Sequence, residues 1–426
     1  MLQPVNILVT SVGSPGDVQP LIGIGLLLRA RGHRVKAIVS PVFRTLVEQA
    51  GLELIPLGTT EDYKRMENDP ALWKPVTGTK IVLQRLAELV IPVYQAIMSH
   101  HVPGNTVVVA STFALGARIA QDRHQIPTAT IHLQPSVLRS LTDPPTMPGV
   151  FSGPHVPRWL ISLQWAAIDK LVGDKLTAPA INAVREQVGL SKINRVLRDY
   201  IHSPQLTIGL FPAWFAAPQA DWPPQVRLTG FPLYDTRGAS HLSPELSTFL
   251  DAGTAPIAFT FGLAMSLARE LLEESARACT LLGRRGILLT RHSDNLPPNL
   301  PVGVIQVDYA PFSVLLPRCA ALVHHGGIGT ASQALASGIP QVVLPHAHDQ
   351  LDNATRLTRL GVARILMPKC YHASNAARAL GDMLGSKIVS EYCRDAAGKS
   401  AGADALGDTC GLIEGLFANA SATPLG

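Results

Sequence analysis

Continuous apolar runs alternate with helix-like stretches from the first residues of the chain. NILVTSV (Asn6 to Val12) is followed by LIGIGLLLRARG, HRVKAIVS, PVFRTLVEQAG and LELIPL. The strand-like runs lack an alternating polar face, so they read as strands buried on both sides, the mark of a parallel sheet covered by helices. Two more such runs, TVVVAS around Val107 and TATIHL around Thr130, flank a helical stretch from Ala114 to His124. Between Asp143 and Pro157 the segment DPPTMPGVFSGPHVP carries five prolines and cannot form a long regular element. It is expected to frame an entrance, as surface loops on a rigid scaffold often do.

The stretch Arg158 to Val172 then places Trp159, Leu160, Leu163, Trp165, Ile168 and Leu171 on a broad apolar helical face. With Phe151, the residues Trp159, Leu163 and Trp165 are candidates to line a site for a greasy substrate. A helix packed on its own domain gives the same pattern, and both readings stand.

Prolines 212, 218, 223, 224 and 232 interrupt the chain between Phe211 and Asp251, after which PIAFTFG restarts the alternation at Pro256. RGILLT, VGVIQVDYA, AALVHH, QVVLP and ARILM follow, with helices between them. The fold class is therefore α/β, with two Rossmann-like domains: residues 1–235, a linker at 236–250, and 251–426, whose last helix could pack back on the first domain. At 426 residues two domains are also the size-based expectation. Ligands of such sheets bind at the carboxyl ends of the strands, so a cleft between the domains is the expected site.

Hydrophobic residues form 46 % of the chain and charged residues 16 %, which excludes a disordered protein. The net charge is +5, but the longest basic cluster is Arg29, Arg31, His33, Arg34 and Lys36, too small for a nucleic-acid surface. The five cysteines are odd in number, contain no C-x-x-C and lie in the C-terminal half, as expected of reduced thiols in the cytoplasm. No cationic leader precedes the first strand. The apolar stretch from Ile81 to Met98 is broken by Arg85, Glu88 and Pro92 and reads as a core or docking helix. Peripheral contact with the inner membrane, alone or through a membrane-associated partner subunit, is compatible with this composition.

Two segments carry chemistry. The turn Gly13 to Pro20 follows the first strand and opens its helix, so Asp17 stands at a strand's carboxyl end. A helix start favours an ionised carboxylate by about 0.3–1 kcal/mol, and such a group serves either as a general base or as a helix cap. The second segment is LVHHGGIGTASQALASGIPQVVLPHAHDQ, from Leu322 to Gln350. Its glycines let the backbone approach an anion, and the helix that follows presents its N-terminus to a diphosphate. His325 can donate to a phosphate oxygen, and Asp349 and Gln350 can hold sugar hydroxyls. His324, His325, His346 and His348 lack the spacing of a metal site, and no metal is assigned.

These residues resemble the nucleotide-sugar glycosyltransferases of the GT-B fold, family 1, over almost the whole chain. In that family a Gly-Asp-x-x-Pro turn supplies the base, and Gly16, Asp17 and Pro20 match it. The resemblance implies that His325 contacts the donor diphosphate and that Gly327, Gly329 and Thr330 at the helix start bind the phosphates. It implies that Asp349 and Gln350 hold the donor sugar. Tyr309, Ala310 and Pro311 stand where the family has Trp-x-Pro-Gln, so Tyr309 would stack on the pyrimidine, with Phe312 in place of the glutamine.

Two positions depart from the pattern. Leu263 follows Phe261-Gly262 where the family often has a phosphate-binding Ser or Thr, leaving that contact missing or supplied by Ser266. Gln333 stands at the ribose-binding Glu, compatible with a deoxyribose donor.

Stretches such as SPVFRTLVEQAGLELIPL, LFPAWFAAPQADWP and VVLPHAHDQLDNATRLTRLG are similar to the rhamnolipid rhamnosyltransferases. That likeness implies an inverting, metal- and cofactor-free hexosyltransferase moving L-rhamnose from dTDP-L-rhamnose to the hydroxyl of a 3-(3-hydroxyalkanoyloxy)alkanoate. The alternative is transfer of glucose or another sugar from a UDP- or dTDP-donor to a sterol, macrolide or other lipophilic aglycone. Asp349 is a second candidate base. A related epimerase and a catalytically silent binding subunit are further alternatives, the latter disfavoured by the presence of Asp17 with Asp349-Gln350.

Overall fold

The structure is a computed structural model and describes residues 4–153, 155–234, 241–262, 265–291, 296 and 299–422. The chain forms two compact units, one of Met1–Met66, Val76–Tyr234 and Asp404–Gly426, the other of Glu67–Pro75 and Asp235–Ala403.

The first unit is built on seven parallel strands: β1 (Asn6–Thr10), β2 (Arg34–Val39), β3 (Glu53–Pro56), β4 (Thr106–Ser111), β5 (Thr128–His132), β6 (Leu206–Gly209) and β7 (Val226–Leu228). Their order is β3-β2-β1-β4-β5-β6-β7, so the winding reverses between β1 and β4, which pair from Asn6↔Thr106 to Thr10↔Ala110. The apolar runs that suggested two-sided burial are buried throughout: every residue of β1, β4 and β5 is in the interior. On one face Leu8, Ile38 and Val108 meet Val93 and Ile97 from the helix Val90–His100. Val76–His100 is long and apolar enough to span a membrane, and it is the one such stretch among the described residues.

The strands β6 and β7 fall in regions whose turns and prolines dominated the sequence pattern. With four and three residues they are too short to show a period. The terminal helix Ala405–Ala422 belongs to this unit and lies on the helix Pro15–Ala30. Glu414 accepts from Arg31 at 2.8 Å and pairs with the buried His33 at 3.1 Å, and the Cys410 thiol donates to the Ile24 carbonyl.

The second unit has six parallel strands: β8 (Ile257–Thr260), β9 (Gly286–Leu289), β10 (Val304–Val307), β11 (Ala321–His324), β12 (Gln341–Val343) and β13 (Ala363–Ile365). Their order is β10-β9-β8-β11-β12-β13, reversing between β8 and β11. The segment expected as a linker is in part a helix, Pro244–Asp251, capped by the Ser243 hydroxyl. Its Leu246 and Leu250 pack with Ala258, Ile287 and Leu322, which explains why it belongs to the core and not to a free connection. Residues 235–240 lie outside the described residues.

Candidate active site

In each sheet the candidate residues stand at the carboxyl ends of the two strands where the winding reverses. Diverging connections leave room for a ligand there. In the first unit β1 leads into the turn at Gly13, and the Ser111 hydroxyl at the end of β4 accepts from the Val12 amide at 3.2 Å. Ser14 caps the helix Pro15–Ala30, and Asp17 is its third residue. The Asp17 Oδ2 atom accepts from both the backbone N–H and the hydroxyl of Ser14, each at 2.8 Å. Gly13 has φ +137°, and a Cβ there would sit 2.4 Å from Oδ2, so only glycine lets the carboxylate fold back on the turn.

Cap and base are therefore compatible uses of one group. Oδ2 closes the helix start, while Oδ1 has no hydrogen-bond partner among the described residues. Burial raises the Asp17 pKa and the two Ser14 hydrogen bonds lower it, with burial prevailing. A carboxylate with a raised pKa is a stronger proton acceptor than a solvated one.

In the second unit β8 and β11 run level, with His324 beside Thr260. His324 is fully buried: its Nδ1 accepts from the Gly326 amide at 3.1 Å and its Nε2 donates to Gln341 Oε1 at 2.9 Å. Burial chiefly, with the neighbouring His325, drops its pKa to about 3. This ring is a neutral strut with both nitrogens engaged. The Gly326 amide turns inward to it, so the backbone donors left for an anion begin after Gly326.

The helix Ile328–Ser337 starts there with Gly327 as a cap that offers no side chain, and its first i→i−4 bond runs from Ala331 to Gly327. The amides of Ile328, Gly329 and Thr330 precede that bond, where a helix start attracts anions. The His325 ring lies over Gly327, since a Cβ at Gly327 would be 2.6 Å from its Nε2. Its Nδ1 is buried without a hydrogen-bond partner among the described residues. Burial first, then His346, lowers its pKa to about 4, with the Thr260 backbone acting against both. At neutral pH this is an uncharged imidazole with the Thr260 backbone on one side and its Nε2 over the helix start.

Asp349 caps the helix Gln350–Arg359, and its Oδ2 accepts from Asn353 Nδ2 at 2.6 Å. Gln350 differs from expectation: it is buried, and its Oε1 accepts from the His346 and Ala347 amides at 2.7 and 3.1 Å. That carbonyl is engaged in shaping the turn, so only the amide NH2 of Gln350 is available to a sugar. Gln333 likewise lies on the inward face of its helix. Tyr309 is 45 % exposed, with the Arg291 guanidinium 5.6 Å from its ring centre, while Ala310 and Pro311 are buried beneath it. Leu263 lies outside the described residues, as does the side chain of Ser266.

Of the four residues expected to line an acceptor site, three are exposed. Phe151, Trp159 and Leu163 are each at least 60 % accessible, the latter two one turn apart on the helix Arg158–Ile168. Gln164 clamps the Phe151 backbone through both its N–H and carbonyl, at 2.7 and 3.0 Å, tying that loop to the helix. Trp165 does not belong with them. It is 4 % exposed, points to the opposite face and packs under the Arg139 guanidinium, which pairs with the buried Asp169 at 2.5 Å. Ser14 lies within the candidate turn without an assigned role, and Gln164 and Asn353 are not singled out by the sequence. The spacing of Asp349 and Asn353, four residues apart at a helix start, was the available signal for the last.

Residues 7–141 match the family model described as glycosyltransferase family 28 N-terminal domain. Residues 286–404 match the one described as erythromycin biosynthesis protein CIII-like, C-terminal domain. The O-mycaminosyltylonolide 6-deoxyallosyltransferase of Streptomyces fradiae is 30 % identical over 374 residues, 85 % of this chain and 86 % of that one. The crystal structure of the glycotransferase of kitacinnamycin superimposes with a TM-score of 0.75 at 21 % identity, over 98 % of this chain and 100 % of that one. A spinosyn rhamnosyltransferase complexed with thymidine diphosphate gives 0.66 at 18 % identity, over 96 % and 99 %.

Proposed function

The chain belongs to the nucleotide-sugar glycosyltransferases of the GT-B fold, and on that premise we propose that it transfers a deoxyhexose from a dTDP-linked donor to the hydroxyl of a lipophilic aglycone, with inversion and without a metal. The His325 ring, whose Nε2 lies over an uncapped helix start, carries this reading, because a leaving diphosphate is the ligand that such a turn complements. The relatives' names support both halves: one acts on a tylonolide, the other is a rhamnosyltransferase that holds thymidine diphosphate. The inward-facing Gln333 leaves the sugar 2′ position without the family's Glu, in keeping with a deoxyribose nucleotide.

In this reaction Asp17 removes the acceptor hydroxyl proton while the oxygen attacks the anomeric carbon. The bond from that carbon to the diphosphate breaks, and its electron pair leaves with the diphosphate toward His325 and the amides of Gly329 and Thr330. Asp349 orients the sugar, Tyr309 stacks on the pyrimidine, and Phe151, Trp159 and Leu163 take the apolar part of the acceptor. The antibiotic-type relatives favour a macrolide or similar aglycone over a 3-(3-hydroxyalkanoyloxy)alkanoate. Rhamnose transfer to that lipid is the more specific reading, supported by the stretches resembling the rhamnolipid rhamnosyltransferases.

The test combines the purified chain with dTDP-L-rhamnose, dTDP-glucose or UDP-glucose and, in turn, a macrolactone, a sterol and a hydroxyalkanoyloxyalkanoate, with products read by mass spectrometry. A glycoside formed from a dTDP-sugar in the presence of EDTA supports the proposal. Glycosylation dependent on added metal, or confined to UDP-glucose, would refute it. Turnover by the isolated chain also decides whether a membrane-associated partner subunit is required.

A further inference from the structure

We infer that Asn353 is a positioning residue that couples the diphosphate-binding turn to the sugar-binding carboxylate, an inference that rests on the donor-site reading above. Asn353 is fully buried one turn into the helix Gln350–Arg359. Its single amide nitrogen gives one hydrogen bond to the Gly326 carbonyl at 3.0 Å and the other to Asp349 Oδ2 at 2.6 Å. Gly326 stands between the two histidines and the helix start, and Asp349 is the residue assigned to the sugar. One rigid amide therefore joins two turns 23 residues apart in sequence.

The amide orientation is not interchangeable. Exchanging its oxygen and nitrogen would set a carbonyl against two acceptors, one of them a carboxylate, so the observed assignment is the one the neighbours enforce. Its Oδ1 is left buried with no partner among the described residues. The orientation that serves Gly326 and Asp349 is the one adopted, at the expense of that oxygen.

The coupling predicts a signature that simple destabilisation does not give. With Asn353 present, Asp349 is held at a fixed offset from the diphosphate site, and the sugar adds to the affinity of the nucleotide. Without it, the carboxylate loses the bond that links it to the Gly326 turn, and the increment due to the sugar falls while affinity for the bare diphosphate falls less.

Titration calorimetry with dTDP, dTDP-L-rhamnose and dTDP-glucose measures both quantities, using whichever sugar nucleotide binds more tightly than dTDP. Asn353→Ala should cut the affinity ratio of sugar nucleotide to dTDP by roughly tenfold or more, as expected for a lost hydrogen bond to a charged group. Asn353→Asp, similar in size but unable to give both bonds, should do the same and takes its place if the Ala variant does not fold. Combining Asn353→Ala with Asp349→Ala should add little to the loss from Asp349→Ala alone. An unchanged ratio in the variants, additive losses in the double variant, or a wild type to which the sugar adds nothing overturns the inference. A wild type that binds no dTDP at all overturns the donor-site reading itself.

Discussion

Replacing Ser14 by Ala tests the assignment of Asp17 more sharply than replacing Asp17 itself, because it should move the enzyme's pH profile without removing the base. Asp17 Oδ2 receives two hydrogen bonds from Ser14, and only the hydroxyl one is lost in Ser14→Ala. Both bonds stabilise the charged carboxylate and lower its pKa against the larger effect of burial. A hydrogen bond to a charged group contributes about 1.5–3 kcal/mol when buried. Ser14 is exposed, so about 1 kcal/mol is the appropriate scale. At about 1.4 kcal/mol per pH unit this raises the pKa of Asp17 by roughly half to one unit.

The base must be deprotonated to act, so activity falls as pH drops through that pKa, and the acid limb of Ser14→Ala should lie at higher pH. The plateau above it should change little. The assay is kcat/KM for the acceptor between pH 5 and 9 at saturating donor, with thermal unfolding to account for about 0.5–2 kcal/mol lost with the cap. An acid limb that stays in place or moves to lower pH would show that it does not report Asp17, and the base would have to be sought elsewhere, first at Asp349.

Asp17→Asn should lower turnover by roughly 10²–10⁴-fold and leave dTDP affinity as it was; full activity in that variant sinks the base assignment. His325→Ala should weaken both donor binding and turnover, the binding by roughly tenfold, whereas unchanged dTDP affinity would remove His325 from the donor site. Trp159→Ser with Leu163→Ser should raise the acceptor KM and spare donor affinity, and an unaltered KM would reassign that face. Trp165→Ala should instead lower stability, by about 3–5 kcal/mol for a buried Trp, and an effect on acceptor KM at full stability would contradict its burial.

The buried pair His132 and His202, joined Nε2 to Nδ1 at 2.8 Å, makes a further test. Burial drives both pKa values down, His202 to about 4, so the unfolded chain binds more protons below about pH 6.5. Each ring should then cost up to about 1.4 kcal/mol of stability per pH unit as pH falls toward 4. A melting temperature flat from pH 7 to 5 would refute this.

The sheets were legible because buried parallel strands must be apolar on both faces, and runs such as NILVT and TVVVA cannot be mistaken for amphipathic helices. The positions of the glycine turns were legible because glycines that follow an apolar strand mark its carboxyl end, while the use of each polar residue in them was not. Side-chain direction was not. Trp165 and Leu163 share a helix and an apolar character, yet one faces the interior and the other solvent. What separates them is Arg139, distant in sequence, whose guanidinium covers the indole. Gln350 shows the same limit: the sequence does not reveal that its carbonyl accepts from the His346 and Ala347 amides, which leaves its amide NH2 to face a ligand. Strands of three or four residues such as β6 and β7 carry too few positions for any period to emerge.

Among the described residues, buried side-chain atoms without a partner occur at Thr10, Ser40, His101, Trp165 and Trp222, and several more gather at the donor turn. Buried side-chain atoms without a partner among the described residues include His325 Nδ1, His346 Nε2 and Asn353 Oδ1, all within the short span that runs from the glycine turn through the first turn of the helix after Asp349. Each such group costs about 1–3 kcal/mol. A fold can satisfy or remove such groups. His324 shows that it could: one residue away from His325, with both ring nitrogens satisfied, it is the structural histidine of the pair. The contrast between these adjacent rings is a physical reason to assign ligand binding to His325 and not to its neighbour.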